Sequence, residues 1–273
     1  MKSSFTTRFA TLRRLIPVGL VLAVFSSAPI YAQEGPFRVG VTAGPHAQIN
    51  EVVKEVAATK GLDITLIEFS DFIQPNAALD AGDVDINIYQ HVPFLESQNE
   101  MRGYKLTQVG DAVVQQMGVY STHYDSLDDL PNGARVGIPN DPTNGARALL
   151  VLEAAGLITL KDGVTTTASP FDIAENPKNI KIIEIEAAQL THSLADVDAA
   201  AINSAYAVQA DLSPSDDSLA LESKDAVFAV VVIAAREDNK DDPRIATFVE
   251  SYRSAEVKQF VEETFPGAYT TTW

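Results

Sequence analysis

Short apolar runs that alternate with amphipathic helical segments constrain this chain more than any other feature. Residues 37–42 read as a strand. Residues 47–60 follow as a helix, with Ile49, Val52, Val53 and Val56 at helical spacing. Gly61 stops that helix. Residues 63–69 form a second strand, a short helix ends at Leu79, and residues 84–89 form a third strand. From Gln90 the chain leaves this strand and starts a helix, with Pro93 near its beginning. A β-α-β-α-β opening favours a parallel sheet with right-handed crossovers.

The alternation resumes beyond residue 133. Residues 134–138 are a strand, 139–147 a polar turn and helix start, and 148–156 a helix with a glycine stop. The turn holds two prolines, two asparagines, an aspartate, a threonine and a glycine. Free N–H groups and the positive end of the helix dipole meet there, which suits an anion. Arg147 adds a planar cation able to grip a carboxylate with two bonds. An ordinary βα loop with a surface arginine explains the same residues. Residues 180–185 and 197–203 are further strands, 204–210 a helix, and 244–252 and 255–264 two closing helices. Residues 163–177 read as loop, and 211–224, acidic and serine-rich, as a solvated loop.

Apolar strands at 112–121 and 227–235 are placed to carry the chain from one sheet to the other and back. The expectation is an α/β protein with two parallel-rich sheets, in two lobes with a cleft between them. One lobe takes residues 37–117 and 232–273, the other 118–231. In open α/β sheets ligands bind at the carboxyl ends of strands. The loops at 43–46, 70–74, 89–94, 139–147 and 203–206 would then converge on one crevice.

Residues 1–32 carry Lys2, Arg8, Arg13 and Arg14, an apolar run over 15–25, and small residues before a cut at Ala32. This reads as a secretory signal peptide. The net charge of −17 becomes more negative once those four cations are removed. So acidic a chain will not track phosphate backbones, so nucleic acid is excluded as a partner. The chain has no cysteine, which excludes disulfides, thiolate metal sites, a cysteine nucleophile and a lipid-modified cysteine. No nucleophile–base arrangement stands out among its four histidines, so no enzyme is expected. No cofactor is expected either.

Several stretches taken together resemble one family: GVTAGPHAQI (40–49), EFSDFIQPNAAL (68–79), IYQHVPFL (88–95), IPNDPTNGARALLVLEAAGLI (138–158), ENPKNIKIIEIEAAQL (175–190) and DVDAAAIN (196–203). In this collinear order, from about Val39 to the C-terminus, they resemble the NlpA/MetQ-type methionine-binding lipoproteins. The resemblance implies a type 2-like periplasmic binding protein whose lobes close on an amino acid, chiefly L-methionine, and deliver it to an inner-membrane ABC permease. By motif position, Arg147 would hold the ligand carboxylate with Asn144 beside it. Asn203 would bind the amino and carboxylate ends. Tyr89, His91 and Phe72 would line the side-chain slot, which suits a thioether.

Three departures from the family pattern stand out. The lipobox cysteine is absent, so a free periplasmic protein is expected. Gln115 and Gln116 precede Met117-Gly118 where the family tends to be apolar or aromatic with proline, and could bring a polar pocket wall. Ala226-Val227-Phe228-Ala229 stands in place of a Pro-Tyr-Ala-Asn-like approach. The last two keep another amino acid or a short peptide open as ligand. A metal ion held by His46 and His91 with nearby acids is a further alternative.

Overall fold

A computed structural model describes Met1 and residues 35–273. The expected signal peptide, Met1 aside, lies outside the described residues. The fold opens with β1 (Phe37–Thr42), α1 (Pro45–Thr59), β2 (Ile64–Phe69), α2 (Gln74–Ala81), β3 (Ile86–His91), α3 (Val92–Arg102) and β4 (Leu106–Gln115). It continues through β5 (Met117–Tyr120), β6 (Arg135–Pro139), α4 (Pro142–Ala154), β7 (Thr159–Leu160), β8 (Ile173–Glu175), β9 (Lys181–Ile185), β10 (Ala199–Asn203), α5 (Ser204–Gln209) and β11 (Ala220–Leu221). It ends with β12 (Val230–Arg236), α6 (Pro243–Tyr252), α7 (Ala255–Thr264) and β13 (Tyr269–Thr271).

Two mixed sheets form the centres of two lobes. The larger runs β13-β4-β12-β3-β1-β2 and the smaller β11-β5-β10-β6-β9. The βαβ units pair in parallel, β1 with β2 and β3, and β6 with β9 and β10. Strands that arrive from the other sheet pair antiparallel, as β12 does with β3 and β5 with β10. The chain passes between the sheets at Gln116 and again between Leu221 and Val230.

Each sheet has its own core. Val39, Ile49, Val53, Ile86 and Phe248 fill one, and Val136, Ile138, Leu149 and Leu152 the other. A third cluster joins Phe72, Tyr89 and Phe94 of the first lobe to Leu190, Ile202 and Tyr206 of the second. Burial on this scale is the main stabilising term of the fold. Several helix starts carry a side-chain cap. Asp141 accepts from the Asn144 N–H at 2.9 Å, and Ser254 from the Val257 N–H at 3.3 Å.

Four sequence expectations are corrected. The third strand lies at Ile86–His91, two residues later than read, because all six of its residues are buried and no alternation marks its ends. Gln90 and His91 therefore belong to the strand. The run at 112–121 is two strands broken at Gln116. The stretch 211–224 is not all solvated loop: β11 pairs with β5, and Glu222 is buried. Residues 163–177 likewise contain β8, a short strand paired with β7.

Candidate functional site

The cleft follows from strand ends. β3 delivers Tyr89, Gln90 and His91 at its carboxyl end, and α3 continues with Phe94. The turn before α2 brings Phe72. β6 hands over to α4, whose first two turns carry Asn144 and Arg147, and β10 ends at Asn203. β4 ends at Gln115. These nine side chains line a narrow cavity between the lobes. All six residues expected from the family motifs are among them. The loop at 43–46 does not line the cavity.

One wall is aromatic. The rings of Phe72 and Tyr206 lie 4.7 Å apart across the cleft, and Phe72 also meets Tyr89 at 5.8 Å and Phe94 at 6.4 Å. Tyr89 donates its hydroxyl to the Phe72 carbonyl at 3.2 Å, and burial raises its pKa well above the usual phenol value. Behind Phe72 a buried amide network holds the α2 turn to β3. Asn76 and Gln90 exchange side-chain bonds at 2.7 Å, and Asn87 donates to Asn76 at 2.8 Å. Satisfied buried amides of this kind fix one arrangement of the elements that carry them.

The opposite wall is polar and ordered from Asp141 outward. Its carboxylate accepts both the Asn144 N–H and the Asn144 amide N–H₂. Burial raises the Asp141 pKa, against the lowering effect of those bonds. Asn144 Oδ1 in turn accepts from Asn203 Nδ2 at 2.8 Å and lies 3.4 Å from His91 Nε2. His91 Nδ1 accepts the Phe94 N–H at 3.1 Å, so the neutral ring carries its proton on Nε2 and donates it to Asn144. Burial, and then the charge of Arg147, hold the His91 pKa down at about 3. Asn203 stands at the N-cap of α5 yet makes no cap bond, because its amide turns to Asn144. Its Oδ1 is buried without a partner.

Arg147 is 1% exposed and already grips a carboxylate. Its Nε lies 3.0 Å from both oxygens of Glu222, and Nη2 lies 2.5 Å from Oε2. Nη2 also donates to the Gln115 carbonyl at 2.8 Å. Nη1 is buried without a partner. The two-bonded grip expected for Arg147 is thus made within the protein, by Glu222 of the stretch 211–224 expected as solvated loop. Nothing local in the acidic stretch around Glu222 signals that pairing. Phe94, also in the cavity wall, lies inside the IYQHVPFL motif and is legible there.

The two glutamines at the crossing separate in role. Gln115 lines the cavity, and its Oε1 accepts from Tyr269 at 3.2 Å and faces His46 Nε2 at 3.3 Å. Gln116 turns into the second lobe, where its amide donates to the Glu222 carbonyl and its own carbonyl accepts from Ser204. Phe228, at the second crossing, packs edge-on to His91 at 5.1 Å. Among the described residues no group of three or more histidine, aspartate or glutamate side chains is arranged to hold a metal ion. None of their helices is long and apolar enough to cross a membrane.

Comparison with known proteins agrees with this geometry. The NlpA lipoprotein family model matches residues 37–273. Outer membrane lipoprotein 2 of Mannheimia haemolytica is 46% identical over 241 residues, 88% of this chain and 87% of the relative. The D-methionine-binding lipoprotein MetQ of Salmonella typhi is 46% identical over 239 residues, 86% of this chain and 88% of the relative. A nutrient-binding protein from Burkholderia cenocepacia, solved bound to methionine, superposes with a TM-score of 0.85 at 46% identity, covering 87% of this chain and 100% of that one. With this coverage and this shared cleft architecture, the chain belongs to the NlpA lipoprotein family.

Proposed function

We propose that this protein is the substrate-binding component of an ABC importer, that it captures methionine between its lobes, and that it presents the ligand to an inner-membrane permease. One observation carries the reading. Arg147 Nη1 and Asn203 Oδ1, a buried donor and a buried acceptor without partners, both belong to side chains lining the same cavity. Unpaired buried polar atoms are costly and call for a partner. An α-amino acid supplies both, its carboxylate accepting from Arg147 and its ammonium donating to Asn203. The rings of Phe72, Tyr89 and Phe94 take the side chain, and a thioether suits aromatic edges. Asn144 and His91 serve by orienting Asn203 rather than by giving up their own bonds.

The lobes in this reading are residues 37–117 with 232–273, and 118–231, closing about the two crossings. Relatives are named for D-methionine and a solved neighbour was bound to methionine, so both enantiomers belong in the test. Calorimetry on protein unfolded and refolded to strip carried ligand should give saturable binding of methionine, stronger than of alanine or glutamate. No heat with any amino acid overturns the proposal. The chain lacks cysteine, so we further propose a free periplasmic protein cut near Ala32, unlike its lipoprotein-named relatives. Mass spectrometry of the exported protein should find Gln33 first and no acyl chain.

A further inference from the structure

Among the described residues, Glu222 is the charged side chain that pairs with Arg147. It lies just beyond β11, its side chain is 5% exposed, and besides Arg147 it accepts the Met117 N–H at 3.0 Å. A guanidinium has five N–H donors in a fixed fork. Glu222 and the Gln115 carbonyl take the Nε and Nη2 edge, and Nη1 remains.

Two consequences follow for any ligand. Its carboxylate meets a single nitrogen rather than the forked edge. It also meets no net cation, because the Arg147 charge is already balanced by Glu222. The other titratable groups near the site do not restore one. His91 is neutral, and Asp141, behind Asn144, is itself an acid. A zwitterion enters such a site without adding net charge, its ammonium facing Asn203. A simple carboxylate buries one uncompensated negative charge, which is strongly unfavourable.

We propose that Glu222 is a positioning residue that makes the cleft select zwitterionic amino acids against carboxylates lacking the α-ammonium group, by neutralising Arg147 and turning its forked edge away from the ligand. This rests on the amino-acid reading above. The discriminating probe is the α-hydroxy acid with the methionine side chain. Its hydroxyl still donates to Asn203 Oδ1, so the two ligands differ chiefly in charge.

Calorimetry of both ligands on the parent protein and on Glu222→Gln tests it. The parent should prefer methionine over the hydroxy acid by a wide margin. Glu222→Gln should narrow that ratio at least about tenfold, a change of about 1.4 kcal/mol, by binding the hydroxy acid better. Glu222→Asp, which keeps the charge, should hold the parental ratio. Loss of packing alone weakens both ligands together and leaves the ratio fixed, and that result overturns the proposal.

If Glu222→Gln does not fold, the parent suffices. Titrations in buffers of different ionisation enthalpy should show the hydroxy acid binding with proton uptake and methionine without it. Tight hydroxy-acid binding with no proton uptake sinks the idea. Failure of the parent to bind any amino acid is a separate outcome: it removes the functional reading first, and this inference with it.

Discussion

Asn203 Nδ2 donates to Asn144 Oδ1 at 2.8 Å, and this one bond decides which end of the Asn203 amide faces the cavity. Asn144 can only accept there, because its own N–H₂ is committed to Asp141. Asn203 must therefore spend its donor on Asn144, which leaves its oxygen without a partner. An ammonium group fits that oxygen and a carboxylate does not. The orientation descends from a helix cap, through a side-chain amide, to ligand polarity.

Asn144→Ala removes the constraint and leaves Arg147 Nη1 and Asn203 Oδ1 in place. Asn203 becomes free to rotate, and His91 loses its acceptor. Methionine affinity should fall by roughly 1–3 kcal/mol, the cost of disturbing a buried hydrogen-bonded group. Calorimetry reads the change, and an unchanged Kd removes Asn144 from the chain of orientation.

Arg147→Ala should act twice. Loss of its contact weakens binding by roughly 2–5 kcal/mol. Glu222 is left buried and unpaired, so the fold itself loses roughly 3–5 kcal/mol. Replacing both partners, Arg147→Met with Glu222→Leu, should recover most of the stability and none of the binding. Urea denaturation and calorimetry on the three proteins separate the two effects.

Gly44→Ala tests closure. Gly44 has φ +83°, and a Cβ there would stand 2.4 Å from Gln209 Cγ on the facing lobe. Gln209 now donates across the cleft to the Ala43 carbonyl at 2.7 Å. The substitution adds backbone strain of roughly 1–3 kcal/mol and pushes Gln209 out of this contact. Ligand should leave faster in stopped-flow measurements, and Gln209→Ala should give a milder version. Dissociation at the parental rate in both variants argues against a closing contact here.

Acid should destabilise the fold through two buried histidines. Burial lowers His46 to about 4 and His91 to about 3 from an ordinary 6.5. Above pH 6.5 both are neutral whether folded or not, and neither matters. Below it the unfolded chain binds protons that the fold refuses. Stability is therefore lost between 6.5 and the folded values, at about 1.4 kcal/mol per pH unit for each histidine. Chemical denaturation at pH 7 and pH 5 should show a shallower loss for His46→Gln than for the parent. Parallel pH curves contradict the assignment.

Much of the fold is legible in the sequence because helical and strand periodicities are local. α1, α6 and α7 announce themselves by apolar spacing and by the prolines, aspartate and serine at their starts. The local pattern places β3 two residues early, since a strand buried on both faces shows no alternation. The break at Gln116 has no local signal because its cause is distant: the Gln116 amide and carbonyl are held by Glu222 and Ser204.

The site divides in the same way. Phe72, Tyr89, His91, Asn144, Arg147 and Asn203 could be named from motif positions, and all six line one cavity. Chain order and residue chemistry thus determined which side chains are available and that two lobes would bring them together. Only the tertiary structure decided how each is used. Arg147 and Glu222 are 75 residues apart and meet only when β11 joins the edge of the second sheet. A donor or acceptor has several potential partners in a sequence, and which one it takes is fixed by distances that exist only after the core has packed.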